Sequence, residues 1–165
     1  MTERGAAATV RVWTLLAVAI AASGSRAPPI CVELVAEKTV VVGQVCVDEA
    51  GDSLIVRFRA LGQWRLAETH LAVAGSVRDI PSAGPGNPIM GRFPYKTTHA
   101  PSLLEFAYVV PTRDLKVGPG TQLIVAAHGT VVRDGQEEGA WAGRTPFMAE
   151  GNPATYFTYS VGSAR

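Results

Sequence analysis

The chain has 165 residues, with 15 Lys and Arg against 14 Asp and Glu and a hydrophobic fraction of 47%. This length predicts a single domain with enough chain to bury a core. The formal net charge of +1, with no long run of one sign, argues against nucleic acid as a partner and against a membrane-surface patch.

The first 24 residues have the order of a secretory signal peptide. Arg4 and Arg11 precede an uncharged apolar run at residues 12–22, and residues 23–25 supply the small side chains of a cleavage site. The run is shorter than the roughly 20 apolar residues that span a bilayer. We therefore expect a secreted or cell-envelope protein that meets the membrane only through this export signal, either cleaved or kept as an anchor.

Two cysteines, Cys31 and Cys46, follow the export signal. In an oxidising compartment an isolated pair usually forms a disulfide, and two reduced thiols are the alternative. A bridge over this interval would stabilise the fold by about 3 kcal/mol in the chain-entropy model. It would tie an N-terminal segment at residues 25–38 to a single β-sandwich domain at residues 39–165.

Short segments rich in β-branched and aromatic residues follow, with turn residues between them. The predicted strands lie at residues 40–47, 54–60, 62–73, 104–110, 123–132 and 155–161. Residues 140–143 form either a short strand or part of a loop. No segment after the signal shows a sustained helical period. We therefore expect an all-β protein, an antiparallel two-sheet sandwich or jelly roll of about seven to nine strands.

The strand predicted at residues 62–73 changes phase along its length. Trp64 and Leu66 share one parity, whereas Leu71 and Val73 have the other. A β-bulge inserts one residue and would bring all four apolar side chains onto one face. A regular strand buried on both faces is the alternative.

Prolines and glycines interrupt residues 79–102, which predicts a long loop, and its aromatic residues indicate that it is packed. Long loops in compact domains are usually functional or mobile. If the bulge is present, Glu68 or His70 turns toward this loop. Either side chain would then need a hydrogen-bond partner in the loop, at His128 or at Glu138, because an unpartnered buried polar group costs a few kcal/mol.

The three histidines, His70, His99 and His128, are candidates for a metal site. Imidazoles from separate strands, joined by a carboxylate such as Glu68 or Glu138, would suit zinc or another divalent ion. No His-x-His or His-x-x-x-His pair makes this signal specific. A histidine inside the apolar strand at residues 123–132 is more commonly a hydrogen-bonded core residue.

Five motifs together resemble a group of uncharacterised bacterial secreted or cell-surface β-domains. They are W-x-L-x-E-T-H at residues 64–70, G-x-F-P-Y at 91–95, A-A-H at 126–128, A-W-A-G at 140–143 and Y-F-T-Y at 156–159. The match spans roughly residues 40–161. The resemblance implies export and a β-rich domain, and it supplies no activity or catalytic residue.

Two functions remain open from the sequence. The first is an exported, non-catalytic β-domain of the cell surface or extracellular space, with a binding or structural role and no cofactor. Its partner would be a cell-surface polysaccharide or a protein. The candidate binding residues are Glu68, His70, Tyr95, His99, His128 and Trp141. An exposed ring at Trp141, Tyr95 or Tyr156 would offer a platform, and burial of these rings would remove that site.

The second function is a metal-binding or metal-dependent enzyme domain. It would use His70, His99 and His128 to hold a divalent metal ion as its cofactor. No serine lies in a G-x-S-x-G elbow, and the cysteines are expected to be paired, so we assign no catalytic residue.

Overall fold

The computed structural model describes residues 28–162 except Pro85, Pro119 and Ala149. The signal peptide predicted at residues 1–24 lies outside the described residues. The described residues form ten strands and one short α-helix. These are β1 (Ile30–Ala36), β2 (Val40–Ala50), β3 (Ser53–Ala60), β4 (Arg65–Ala74), β5 (Tyr95–Leu103), β6 (Glu105–Pro111), α1 (Thr112–Leu115), β7 (Gln122–Arg133), β8 (Gln136–Ala142), β9 (Thr145–Pro146) and β10 (Thr155–Ser160). Within this part of the chain, no helix is long and apolar enough to span a membrane.

The strands form one antiparallel sheet in the order β5-β4-β7-β8-β1-β2-β3-β6. β10 pairs with the first half of β7, and β9 pairs with β10. The sheet coils until it is nearly barrel-shaped, so β5 and β6, the two ends of the strand order, approach each other. The predicted all-β antiparallel fold is confirmed, and its strands belong to one continuous coiled sheet.

The main core fills the inside of this coil. In β3, the fully buried Leu54, Val56 and Phe58 alternate with the less buried Ile55 and Arg57. This alternation is the pattern of an antiparallel strand with one face on the core. The other long strands contribute alternate residues in the same way, so the main core is a single apolar cluster.

A β-bulge in β4 confirms the predicted change of phase. The register between β4 and β7 shifts between Leu66 and Glu68, which makes Ala67 the extra residue. The bulge thus lies just before the Glu68-Thr69-His70 segment where the sequence pattern slips. The four apolar residues whose parity changes along the strand all lie in the main core: Trp64, Leu66, Leu71 and Val73.

A second apolar cluster lies on the outer face of β4, β7 and β8, beneath two covering loops at residues 75–94 and 143–154. Its buried members are Ala72, Ile80, Phe93, Ile124, Ala126, Trp141 and Ala154. Asn152 Nδ2 in one loop donates a hydrogen bond of 2.8 Å to Asn87 Oδ1 in the other. The first covering loop is therefore packed, as its aromatic residues indicated.

Three segments differ from the sequence predictions. Ile30–Ala36 forms β1 between β2 and β8, so it belongs to the sheet and is not a separate N-terminal segment. Tyr95–Leu103, predicted as loop, forms β5, which tolerates proline because it lies at the edge of the sheet. Gln136–Ala142 forms all of β8, because Asp134-Gly135, with φ of 51° and 79°, makes a tight hairpin turn.

The predicted disulfide between Cys31 and Cys46 is present. The two residues lie directly opposite each other on β1 and β2, with their Cα atoms 4.0 Å apart. The bridge therefore joins two neighbouring strands within the sheet. No free cysteine remains in the described part of the chain.

Candidate functional site

A row of four side chains crosses the outer face of the sheet. Lys96 of β5, His70 of β4, His128 of β7 and Trp141 of β8 are successive cross-strand partners. The ring centroids of His70 and His128 are 5.6 Å apart, and those of His128 and Trp141 are 4.9 Å apart. Directly opposed residues of an antiparallel pair share a face, so strand register alone builds this row.

The bulge in β4 decides which residue faces His128. Before the bulge, Leu66 opposes Val131. An unbulged continuation of that register would place Thr69 opposite His128 and would turn His70 into the main core. The inserted residue instead sets His70 opposite His128 and buries Thr69 completely on the other face. This is the way in which bulges re-aim side chains beside a site.

The surroundings of the histidine pair favour neutral imidazoles. Burial, and secondarily the neighbouring His70, lower the pKa of His128 from 6.5 to about 4. Burial also lowers the pKa of His70, although Glu68 opposes this effect, and Lys96 adds to it. The Nδ1 atoms of His70 and His128 are both buried, and neither has a hydrogen-bond partner among the described residues.

Glu68 lies beside this pair on the more exposed side. Its Oε2 is 3.9 Å from His70 Nε2, and its Oε1 accepts a long hydrogen bond of 3.5 Å from Thr98 Oγ1. Thr98 belongs to the segment that was predicted as loop, so the expected partner is present but stands on β5. The Glu68 carboxylate therefore lies on the Nε2 side of the His70 ring.

A groove of about 600 Å³ opens beside His128 along β8. A Cβ atom on Gly139 would lie 3.1 Å from His128 Nε2, so the missing side chain leaves room for the imidazole beside the groove. Val35 and Trp141 contribute apolar surface. The charged residues that line the groove carry both signs and are Glu37, Lys38, Glu138 and Arg144.

The aromatic residues near the groove are not open platforms. Trp141 is only 8% exposed, and its ring makes edge contacts with Phe93 and Phe147. Tyr95 and Tyr156 are half-buried. Trp141 therefore offers no exposed aromatic ring on which a sugar could stack.

His99 and Tyr95 lie on the main-core side, so the structure does not bring the three histidines together. His99 Nε2 is 3.0 Å from Thr69 Oγ1, and burial lowers the pKa of His99. The Tyr95 ring lies 5.7 Å from the Tyr108 ring, and burial raises the Tyr95 pKa. Across the described residues, no group of three or more His, Cys, Asp or Glu side chains could hold a metal ion.

Thr69 links three strands through a chain of hydrogen bonds. The Tyr108 hydroxyl of β6 donates to the Thr69 carbonyl at 2.9 Å and lies 2.8 Å from Thr69 Oγ1, which also contacts His99 of β5. The network therefore connects the two ends of the strand order. Thr69 was not among the residues predicted from the sequence, although its place inside the phase slip was a signal that it could change face.

No family model, curated protein or solved structure matches the chain. The function must therefore be argued from the site itself, because a fold alone does not determine an activity. The site offers a pair of neutral imidazoles at one end of a groove with charges of both signs. On the opposite face of β4 lies a buried hydrogen-bond network.

Proposed function

We propose that the chain is an exported, non-catalytic β-domain of the extracellular space or cell surface, with a binding or structural role. The observation that carries this proposal is the Cys31–Cys46 disulfide, because such bridges form and persist mainly in oxidising compartments. The charged, apolar and small-residue order of residues 1–24 supports the same location. Membership of the bacterial secreted β-domain group that the sequence motifs resemble is part of the proposal.

For a binding role, the groove along β8 is the site that the geometry supports best. Its volume lies within the roughly 300–1,000 Å³ of small-molecule sites. Its charges of both signs favour a neutral partner, such as a segment of surface polysaccharide, over a strongly charged one. His128 and Trp141 line it, whereas Tyr95 and His99 serve the main core and hold the coiled sheet together.

Export and disulfide formation can be tested together in a bacterial host. The full chain and a chain that starts at residue 25 after an added methionine are produced, and cytoplasm, envelope and medium are separated. We expect the full chain outside the cytoplasm, with thiols that resist alkylation until a reductant is added. The shortened chain should stay in the cytoplasm with alkylatable thiols.

A variant with Cys31→Ser and Cys46→Ser gives the reference mass of a protein that cannot be alkylated. The decisive measurement is the intact mass of each fraction with and without reductant. Retention of the full chain in the cytoplasm, with Met1 present and both thiols alkylated, would contradict the proposal.

The metal-dependent alternative was predicted with three histidines, and two of them, His70 and His128, lie next to each other. His99 contacts Thr69 in the main core, on the face of β4 opposite to His70. The facing pair of His70 and His128 is a different arrangement, which supplies two imidazole ligands instead of three.

A further inference from the structure

Two buried ring nitrogens on facing strands lack a hydrogen-bond partner in the part of the chain that the structure describes. His70 Nδ1 and His128 Nδ1 are both inaccessible to solvent and have no hydrogen-bond partner among the described residues. Nearly all buried polar atoms in proteins are partnered, so each such exception requires an explanation. Two exceptions in directly opposed side chains point to one shared cause.

The separation of the two rings fits a shared metal ion. An imidazole nitrogen binds first-row metals at about 2.0–2.1 Å, which places the ion roughly 3 Å from the ring centre. Two rings that share an ion therefore have centres about 5 Å apart at a tetrahedral N–metal–N angle and about 6 Å or slightly more apart at a linear one. The centroids of His70 and His128 are 5.6 Å apart, which corresponds to a bent angle between these limits. Because the residues are cross-strand partners, the ladder between β4 and β7 fixes this separation.

The donors and their surroundings select the ion. Structural zinc takes four ligands, whereas this pair supplies two neutral nitrogens. Glu68 lies on the Nε2 side of the His70 ring, so it does not add a ligand beside Nδ1. A divalent charge would also be costly beside the apolar second cluster that includes Trp141. Copper(I) carries one charge, binds imidazole and needs only two or three ligands, so a bent pair of imidazoles can hold it. We propose that His70 and His128 bind one copper(I) ion through their Nδ1 atoms.

This inference goes beyond the proposed function and does not depend on it. Export is argued from the disulfide and from residues 1–24, whereas copper binding is argued from the register of β4 and β7. A failure of copper binding would therefore leave the export proposal untouched, and the reverse also holds.

Copper(I) is titrated into untagged full-length protein under nitrogen, with bicinchoninate as the competing indicator. Ascorbate serves as reductant because it leaves the disulfide intact. We expect one copper(I) ion per chain and a loss of affinity of about a hundredfold or more in His70→Ala and in His128→Ala. His99→Ala is the matched control and should keep the wild-type affinity, because its imidazole lies on the other face.

Either site variant could unfold, so the wild-type imidazole nitrogens are also followed by NMR. Copper(I) should shift Nδ1 of His70 and His128 more than their Nε2 atoms and should leave His99 unchanged. Zinc titrated in parallel should show no stoichiometric binding. The absence of stoichiometric copper(I), stoichiometric zinc in its place, or shifts centred on His99 or on Nε2 would overturn the proposal.

Discussion

The hydroxyl of Tyr108 donates a hydrogen bond of 2.9 Å to the main-chain carbonyl of Thr69. Tyr108 stands on β6, one end of the strand order, and Thr69 stands on β4, next to the other end. The contact therefore joins the two ends of the coiled sheet inside the main core. It depends on the bulge, which turns Thr69 inward.

Tyr108→Phe should destabilise the fold because it removes this link. The substitution leaves the buried Thr69 hydroxyl and carbonyl without the Tyr108 partner, which should lower the free energy of unfolding by about 1–3 kcal/mol. Urea denaturation at neutral pH measures the change. Tyr95→Phe is the matched control, since its ring packs on Tyr108 but its hydroxyl lies outside the network, and equal losses would contradict the interpretation.

The same network fixes the tautomer of His99. A tyrosine hydroxyl has one proton, and Tyr108 donates it to the Thr69 carbonyl. The Thr69 hydroxyl must then donate to Tyr108, so His99 must donate to Thr69 through Nε2–H. Long-range ¹H–¹⁵N NMR spectra at neutral pH should show His99 protonated on Nε2. A neutral His99 protonated on Nδ1 would contradict this assignment.

The main core could be predicted from the sequence where periodicity was strong. Parity in the segment from Trp64 to Val73 was enough to locate the bulge within a residue or two, because the main core requires one face to be apolar. The edge strand β5 was missed because the prolines of residues 79–102 are typical of a loop. Its one proline, Pro101, is tolerated because an edge strand needs fewer ladder donors. β8 was assigned only in part because the Asp134-Gly135 hairpin signal was not used.

The histidine pair could not be predicted, because it depends on strand register. His70 and His128 are far apart in sequence, and nothing in their spacing states that β4 and β7 are neighbours. Even with that pairing known, moving the bulge to the other side of His70 would set Thr69 opposite His128. Of the three predicted histidines, the structure therefore brings His70 and His128 together and places His99 on the other face of β4.

Gly143→Ala should be more destabilising than Gly151→Ala, although both glycines have almost the same φ angle. Their φ angles are +84° and +86°, so each alanine costs roughly 1–2 kcal/mol in backbone strain. A Cβ on Gly143 would also lie 2.6 Å from the Tyr156 carbonyl oxygen, whereas nothing lies within 4 Å of one on Gly151.

We expect the steric conflict at Gly143 to add about 1–3 kcal/mol to the cost of the substitution. The difference between the two variants in thermal or urea denaturation isolates this conflict, because the strain from φ is common to both. Similar stabilities would show that β10 moves away from Gly143 without cost.

The metal-free protein should lose stability as the pH falls from 6.5 to 4. The pKa of His128 is about 4 in the folded chain. It is 6.5 in the unfolded chain, where burial no longer lowers it. Between these values the unfolded chain binds a proton that the folded chain does not, so the free energy of unfolding falls with decreasing pH. A tenfold change in a protonation constant is worth about 1.4 kcal/mol, so the full effect of His128 is about 3 kcal/mol.

Urea denaturation at several pH values, with a chelator present, measures this dependence, and His128→Gln is the comparison. The variant should retain a weaker dependence between pH 6.5 and 4, because the pKa values of His70 and His99 are also lowered by burial and act in the same direction. Above pH 6.5, where neither state of wild-type His128 is protonated, this contribution is constant. A variant whose pH dependence matches that of the wild type would show that His128 is not the group that titrates.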